Sequence, residues 1–416
     1  MLSKRLRACF RIQACACQRS CLVRGLGAFL VFLERVSPMS QACGVVADNG
    51  LFSAIQQYDH EAVLFVSDKE TGLRGYIGIH DTTLGPALGG CRMRAYANEQ
   101  EAFTDVLALS RAMTFKAAAA DLNLGGGKTV LIMDTPQHKT PERLHAFAER
   151  LNLLQGRYYG AGDVGSTTED LRIIREKSPF VAGLAEKDGG LGDSAQLTSL
   201  GVFLGLKAAV KDHLKRDSLD GVKVAVQGTG KVGYFLMQRL LAEGAIITAT
   251  DTVESALNHV RETLPQVTLV SPEALNDAEV DVFSPNAVGG LLNATVARGL
   301  KAKIVAGGAN NPLTNDGVDQ ILHDRGILYA PDFLINSGGI TVIASEIQGL
   351  TVQQAEQRVM DVYQRTLNCF EMARSQNLLP WDAARKMAMD RMAARRAEIT
   401  AQQAAGQTPT VYPIVP

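Results

Sequence analysis

Val222-Lys223-Val224-Ala225-Val226-Gln227-Gly228-Thr229-Gly230-Lys231-Val232-Gly233 is an apolar run that breaks into glycines spaced GxGxxG. It continues as a helical stretch over 234–243, then as a second apolar run over 246–250 that ends at Asp251. A GxGxxG alone is common. Strand, glycine loop, helix and a second strand closing on an acid, in that order, form a dinucleotide fingerprint. Gly228 makes the tight turn, Gly230 lets bare backbone approach a pyrophosphate, and Gly233 lets the helix pack closely on the sheet. The helix N-terminus offers oriented N–H donors to the anion. Thr229, Lys231 and Val232 complete this candidate cofactor loop. Asp251 lies 23 residues past Gly228, where a carboxylate accepts from ribose hydroxyls and repels a 2′-phosphate, so NAD is the expected cofactor. The plainer reading of Asp251 is an exposed turn residue.

Outward from this unit the chain alternates apolar runs with amphipathic stretches, which marks an α/β protein. Strands are expected at 63–66, 75–79, 128–133, 280–283, 303–306 and 327–329. Helices are expected at 99–120, 140–154 and 201–213, with a mostly helical stretch over 355–396. In the first helix Ala102, Val106, Leu109, Met113 and Ala117 recur at spacings of three and four. The expected architecture is two domains around a cleft, the second Rossmann-like, with C-terminal helices returning to the first. The boundaries read as 1–48 leader, 49–185 substrate domain, 186–333 NAD domain, 334–400 C-terminal helices and 401–416 tail.

The 416 residues are 46% hydrophobic and 20% charged, enough to bury a sizeable core. The net charge of −1 argues against nucleic-acid binding driven by overall charge. The charge is unevenly placed: residues 1–38 hold seven basic residues and Glu34, leaving 35 basic and 42 acidic residues beyond. This stretch, with Cys9, Cys15, Cys17 and Cys21, reads as a non-native extension before Met39 or as a targeting segment. Its apolar run is too short to span a bilayer, and its cysteines lack CxxC spacing, so neither a membrane anchor nor a metal site is expected. The scattered Cys43, Cys91 and Cys369 favour a reducing, cytoplasmic setting.

The N-terminal half supplies glycine-framed polar residues: Leu88-Gly89-Gly90-Cys91-Arg92, read as a loop; Met113-Thr114-Phe115-Lys116 at a helix end; and Leu124-Gly125-Gly126-Gly127-Lys128 leading into a strand. Two lysines twelve apart are ordinary surface charges when taken alone. Consecutive bare backbone beside them points instead to close approach of another group.

These stretches, with His80-Asp81-Thr82-Thr83-Leu84-Gly85-Pro86-Ala87, Asp163-Val164-Gly165, Gly307-Gly308-Ala309-Asn310-Asn311 and residues 330–339, run in order over about 50–395. The chain resembles the glutamate/leucine/phenylalanine/valine dehydrogenase superfamily, most closely its leucine dehydrogenase branch, with phenylalanine dehydrogenases next. The resemblance implies oxidative deamination: an L-amino acid, NAD and water give a 2-oxo acid, ammonia and NADH. It also implies a homo-oligomer. On this reading Lys116 holds the substrate carboxylate and Lys128 is the general base that activates water, which requires a depressed pKa. Asp163 exchanges protons with the amino group. Thr198 and Asn310 match positions near the nicotinamide or substrate, and Asn286 stands where leucine dehydrogenases have a cysteine.

Glutamate dehydrogenases resemble this sequence but carry a lysine where Leu88 stands, so a buried distal carboxylate would lack its counter-ion here. Leu88, Gly89, Gly90, Met113, Ile340 and Ile343 are the expected substrate-binding residues, and the two isoleucines share a helix face. Leucine, valine and isoleucine are the expected substrates. Phenylalanine comes second, and a specialised tryptophan enzyme stays open, because apolar pockets discriminate weakly per methylene. The rival classes are a catalytically silent NAD-binding protein, which predicts loss of Lys116, Lys128 or Asp163, and a 2-hydroxy-acid dehydrogenase. The latter wants a cleft histidine with an acid partner.

Overall fold

The computed structural model describes residues 50–314 and 317–408. The expectations placed on residues 1–48 therefore lie outside the described residues, as does the second half of the tail, 409–416.

Two sheets organise the chain. The first has the order β1-β2-β4-β3-β5, with β1 Ala62–Asp68, β2 Leu73–Asp81, β3 Ala87–Arg94, β4 Gly125–Ile132 and β5 Tyr158–Gly162. It is mixed: β1 and β4 run antiparallel to β2, while β3 runs parallel to β4 and β5. The second contains β6 Lys223–Gln227, β7 Ile246–Thr250, β8 Thr268–Leu269, β9 Val282–Pro285, β10 Ile304–Val305 and β11 Leu328–Tyr329. All its pairings are parallel, in the order β11-β10-β9-β6-β7-β8. Counted from β6, that is the doubly wound order 3-2-1-4-5-6, whose ligand crevice lies beyond the carboxyl ends of the strands. The result is a two-domain α/β fold with a Rossmann-like second domain.

One segment read as a loop is strand, and one expected strand starts three residues early. Residues 88–92 lie inside β3, and the three glycines before Lys128 open β4. Glycine is a weak strand former in isolation, but here the tertiary contacts require it. A Cβ on Gly89 would sit 1.7 Å from the Gly127 carbonyl oxygen, and one on Gly126 would sit 2.1 Å from the Thr114 nitrogen. The bare backbone lets the strands lie close and lets the helix Glu99–Ala119 press directly onto β4. The close approach is made by the protein itself.

That helix starts where the Asn98 side chain accepts from the Glu101 N–H, 2.9 Å away. Its buried face carries Ala102, Phe103, Val106, Leu107, Ser110, Thr114 and Ala117; Leu109 is only half-buried. The helices Val352–Met360 and Val362–Ser375 pack against Ala195–Ala209, sharing a core of Ala355, Val359, Val362 and Phe370. The last helix, Pro380–Ala404, returns to the first domain, where Ala383, Ala384, Ala388 and Met392 cover Leu84, Ala118 and Ala119. It runs past the expected boundary at 400 because Ala401, Gln402, Gln403 and Ala404 are all compatible with helix. Among the described residues no helix is long and apolar enough to cross a membrane.

Candidate active site

Side chains alternate across a strand, so Leu88, Gly90 and Arg92 of β3 share one face while Cys91 is buried on the other. The empty side of Gly90 is where the charged pair meets: a Cβ there would lie 2.7 Å from the Asp163 Cβ and 3.2 Å from the Lys128 Nζ. Lys128, in the middle of β4 and only 5% exposed, donates to Asp163 Oδ2 at 2.8 Å. Asp163 follows directly on β5. Burial pushes the Lys128 ammonium below the usual lysine range, against the pull of Asp163, and the Arg92 guanidinium adds to the lowering. Burial also works against the Asp163 charge, but Lys128 and Arg92 outweigh it and hold the carboxyl below its ordinary value.

Lys116 sits one helical turn beyond Met113, so both project into the same cleft as Lys128. Burial lowers its pKa to about 8, with Asp332 opposing the shift. Its Nζ donates to Asn310 Oδ1 at 3.2 Å, and Asn336 Nδ2 donates to the same oxygen at 2.9 Å. The loop carrying Asn310 is held from below: Asp332 Oδ2 accepts from the Asn311 N–H at 2.7 Å and Oδ1 accepts from the Tyr329 hydroxyl at 2.9 Å.

The cleft of about 940 Å3 is lined by all the expected substrate residues: Leu88, Gly89, Gly90, Met113, Lys116, Ile340 and Ile343. Asp163, Lys128, Asn310 and Lys231 line it too. Ala161, Gly162, Leu171 and Gly183 complete the apolar wall, and sequence reasoning missed them because they come from three separate segments. Arg92, Asp332 and Asn336 were missed as well. The signal for Arg92 lay in the quoted motif: a cation two residues beyond a glycine that faces Lys128 and Asp163.

The glycine-rich loop stands as its fingerprint requires. Gly228 has φ +96° and lies against the backbone of 286–287; a Cβ on Gly233 would strike the Gly228 oxygen at 2.0 Å. At Gly230 a Cβ would meet nothing within 4 Å, which is the open cradle a pyrophosphate needs. Val232 packs toward Gly308. The residues present thus fit a nicotinamide dinucleotide. Asp251 is engaged in the structure: Oδ2 accepts from the Thr229 N–H at 2.6 Å and hydroxyl at 3.1 Å, and Oδ1 from the Val253 N–H at 2.9 Å. It is therefore no simple exposed turn residue. Lys231 pairs with Asp193 at 2.6 Å. Thr198 stands behind the wall, donating to the Ser194 carbonyl at 2.8 Å, while its neighbours Ser194 and Gly339 line the cleft. Asn286 ties two strand ends, its Oδ1 accepting from the Gly308 N–H at 2.8 Å.

Comparison with known proteins agrees with this geometry. Residues 60–179 match the family described as Glu/Leu/Phe/Val dehydrogenase, dimerisation domain. Residues 189–261 and 247–399 match Glutamate/Leucine/Phenylalanine/Valine dehydrogenase. The chain is 42% identical over 346 residues to a leucine dehydrogenase of Geobacillus stearothermophilus, covering 83% of this chain and 94% of that protein. It is 39% identical over 361 residues to a phenylalanine dehydrogenase of Bacillus thermotolerans, covering 86% and 94%. The crystal structure of L-tryptophan dehydrogenase from Nostoc punctiforme superposes with a TM-score of 0.75 at 39% identity, covering 83% of this chain and 99% of that one. With a lysine–aspartate pair and a second lysine facing a dinucleotide fold, the chain belongs to the Glu/Leu/Phe/Val dehydrogenase family, as an amino-acid dehydrogenase of the leucine dehydrogenase kind that acts on CH–NH2 groups.

Proposed function

We propose that the protein catalyses the NAD-dependent, reversible oxidative deamination of branched-chain L-amino acids: leucine, valine and isoleucine. The observation that carries this reading is the cleft itself. Lys116, Lys128 and Asp163 line it together with the apolar residues Leu88, Met113, Ala161, Ile340 and Ile343.

Lys116 holds the substrate carboxylate as a point charge. Asp163 holds the α-ammonium and takes one of its protons, and the apolar wall receives the side chain. When bound, NAD supplies the acceptor for the hydride of the α-carbon. Lys128, in its neutral form, takes a proton from the water that attacks the iminium carbon. Asp163 then returns that proton to the departing nitrogen while the new hydroxyl loses its own proton to solvent, so that the carbonyl forms and ammonia leaves. Closure of the cleft excludes competing water. The preference for NAD rests on Asp251: Thr229 and Val253 hold its carboxylate at the end of β7, where it repels a 2′-phosphate.

Leu88, 1% exposed, offers no partner for a distal carboxylate, so glutamate is rejected. Gly162 and Gly183 leave the same wall without side chains at two positions, which favours an aromatic substrate as the second reading. A relative described as an L-tryptophan dehydrogenase fits that alternative. The matched dimerisation domain and the half-exposed Phe65 on edge strand β1 support a homo-oligomer, which we place in the cytoplasm.

The test is NADH formation at 340 nm with single L-amino acids. Aliphatic turnover that falls about 10²–10⁴-fold in Lys128→Ala supports the reading. Preferential turnover of phenylalanine or tryptophan replaces the substrate and keeps the mechanism. Undiminished turnover in Lys128→Ala overturns the mechanism.

A further inference from the structure

Asp163 has two cations on one oxygen. Its Oδ2 accepts from Lys128 Nζ at 2.8 Å and from Arg92 Nε at 2.9 Å, while Oδ1 accepts no hydrogen bond among the described residues. Arg92 is itself clamped from the far side. Its second nitrogen, Nη1, meets both oxygens of Asp105 at 3.2 and 3.0 Å, and the Tyr96 hydroxyl donates to Asp105 Oδ2 at 2.6 Å. Asp105 belongs to the helix Glu99–Ala119, and Arg94 approaches it at 3.8 Å while lying over the Tyr96 ring. Arg92 and Asp105 are each only 19% exposed in their side chains, so the chain of contacts is mostly shielded from water.

We propose that Arg92 is a positioning residue for the deamination. By sharing Asp163 Oδ2 with Lys128 it turns Oδ1 toward the substrate amino group and keeps Lys128 from having an exclusive counter-ion. The proposal rests on the roles given above to Lys128 and Asp163.

The physical problem it solves is self-locking. A buried lysine with a carboxylate of its own stays protonated, and a protonated lysine is no base. Arg92 cannot lose its proton, so it offsets the field of Asp163 at all working pH values. When Lys128 becomes neutral, Asp163 still has a partner and stays ionised, which keeps it able to hold an ammonium. The fork of the guanidinium matters because it reaches Asp163 with one nitrogen and Asp105 with another, in one plane.

The groups facing Lys128 are Asp163, Arg92, the Cys91 thiol and Lys116; those facing Arg92 are Asp163, Asp105 and Arg94. Behind them the Tyr158 hydroxyl and the Cys91 thiol stay protonated because burial raises both, the thiol to about 12. Neither titrates where the enzyme works.

The experiment compares wild type, Arg92→Gln, Arg92→Lys and Lys128→Ala by pH profiles of kcat and kcat/KM with leucine. In parallel, the pH dependence of Lys128 acetylation by acetic anhydride, read by mass spectrometry, follows its protonation without turnover. In Arg92→Gln the acidic limb and the acetylation curve should both move up by about one pH unit, with kcat near neutrality falling about tenfold. The KM for NAD should stay within about twofold, since only the amino-acid side of the cleft changes. Arg92→Lys should return both curves toward wild type, while its kcat stays low for want of the fork. Unmoved curves in a folded Arg92→Gln overturn the proposal. Should Arg92→Gln not fold, a wild-type kcat in Arg92→Lys overturns it. A wild-type profile in Lys128→Ala instead removes the base assignment on which the proposal rests, so the two failures are distinguishable.

Discussion

Lys116 and Lys128 stand in one cleft but need opposite charge states in the mechanism proposed above. There Lys128 works neutral, and burial lowers it toward that state; Lys116 works charged, and burial lowers it to about 8. Deprotonating Lys128 raises activity as pH increases, whereas deprotonating Lys116 releases the substrate carboxylate. The expected profile of kcat/KM is therefore a bell whose alkaline limb begins near the Lys116 value of about 8 and appears as a rising KM for the amino acid. Steady-state kinetics from pH 6 to 11 checks this, and a KM flat through that range contradicts the carboxylate role of Lys116. Asp251 invites a second test. Asp251→Ser loses the carboxylate acceptor for Thr229 and the repulsion of a 2′-phosphate, so the proposed preference for NAD over NADP should shrink by at least about tenfold, read from kcat/KM for each cofactor.

Among the elements, β4 and the helix Glu99–Ala119 make the site together. The helix brings Lys116 to the cleft and the strand brings Lys128, and their spacing depends on Gly126, where a Cβ would stand 2.1 Å from the Thr114 nitrogen. Gly126→Ala forces helix and strand apart. Its expected cost is about 1–3 kcal/mol of unfolding free energy, measured as a lower urea midpoint at unchanged slope. The separation of the two lysines should also lower kcat. The glycine run could be recognised in the sequence as a site of close approach. What approaches could not, because that depends on a helix packing across the sheet face.

On the scale of the whole molecule, the site is divided between two sheets and closed by a helix from the far end of the chain. Pro380–Ala404 covers Ala118 and Ala119, just past Lys116, and Arg391 donates to the Leu122 carbonyl at 2.7 Å. A chain ending at Leu378 would expose that apolar face and loosen the end of the lysine-bearing helix. It should lose at least about 99% of its activity, because misplacement by 1 Å already costs about a hundredfold. Its first domain should also show faster amide exchange over 113–122, followed by mass spectrometry.

The dinucleotide fold was legible in residues 222–251 because strand, turn and helix are local and each obeys its own periodicity. The pair of lysines, Asp163 and the apolar residues were legible through the resemblance of short ordered motifs. Strand β3 was not, since the glycines of 89–90 favour a loop until neighbouring backbones demand them. Nor was the role open to Arg92, whose partners Asp163 and Asp105 lie 71 and 13 residues away in sequence. The amino-acid sequence by itself determined which chemical groups this protein carries and the order of its elements, because those follow from composition and local pattern. Only the tertiary structure decided which oxygen of Asp163 each cation occupies and which groups remain for a substrate, because electrostatics and hydrogen bonding act over a few ångströms in space and take no account of distance along the chain.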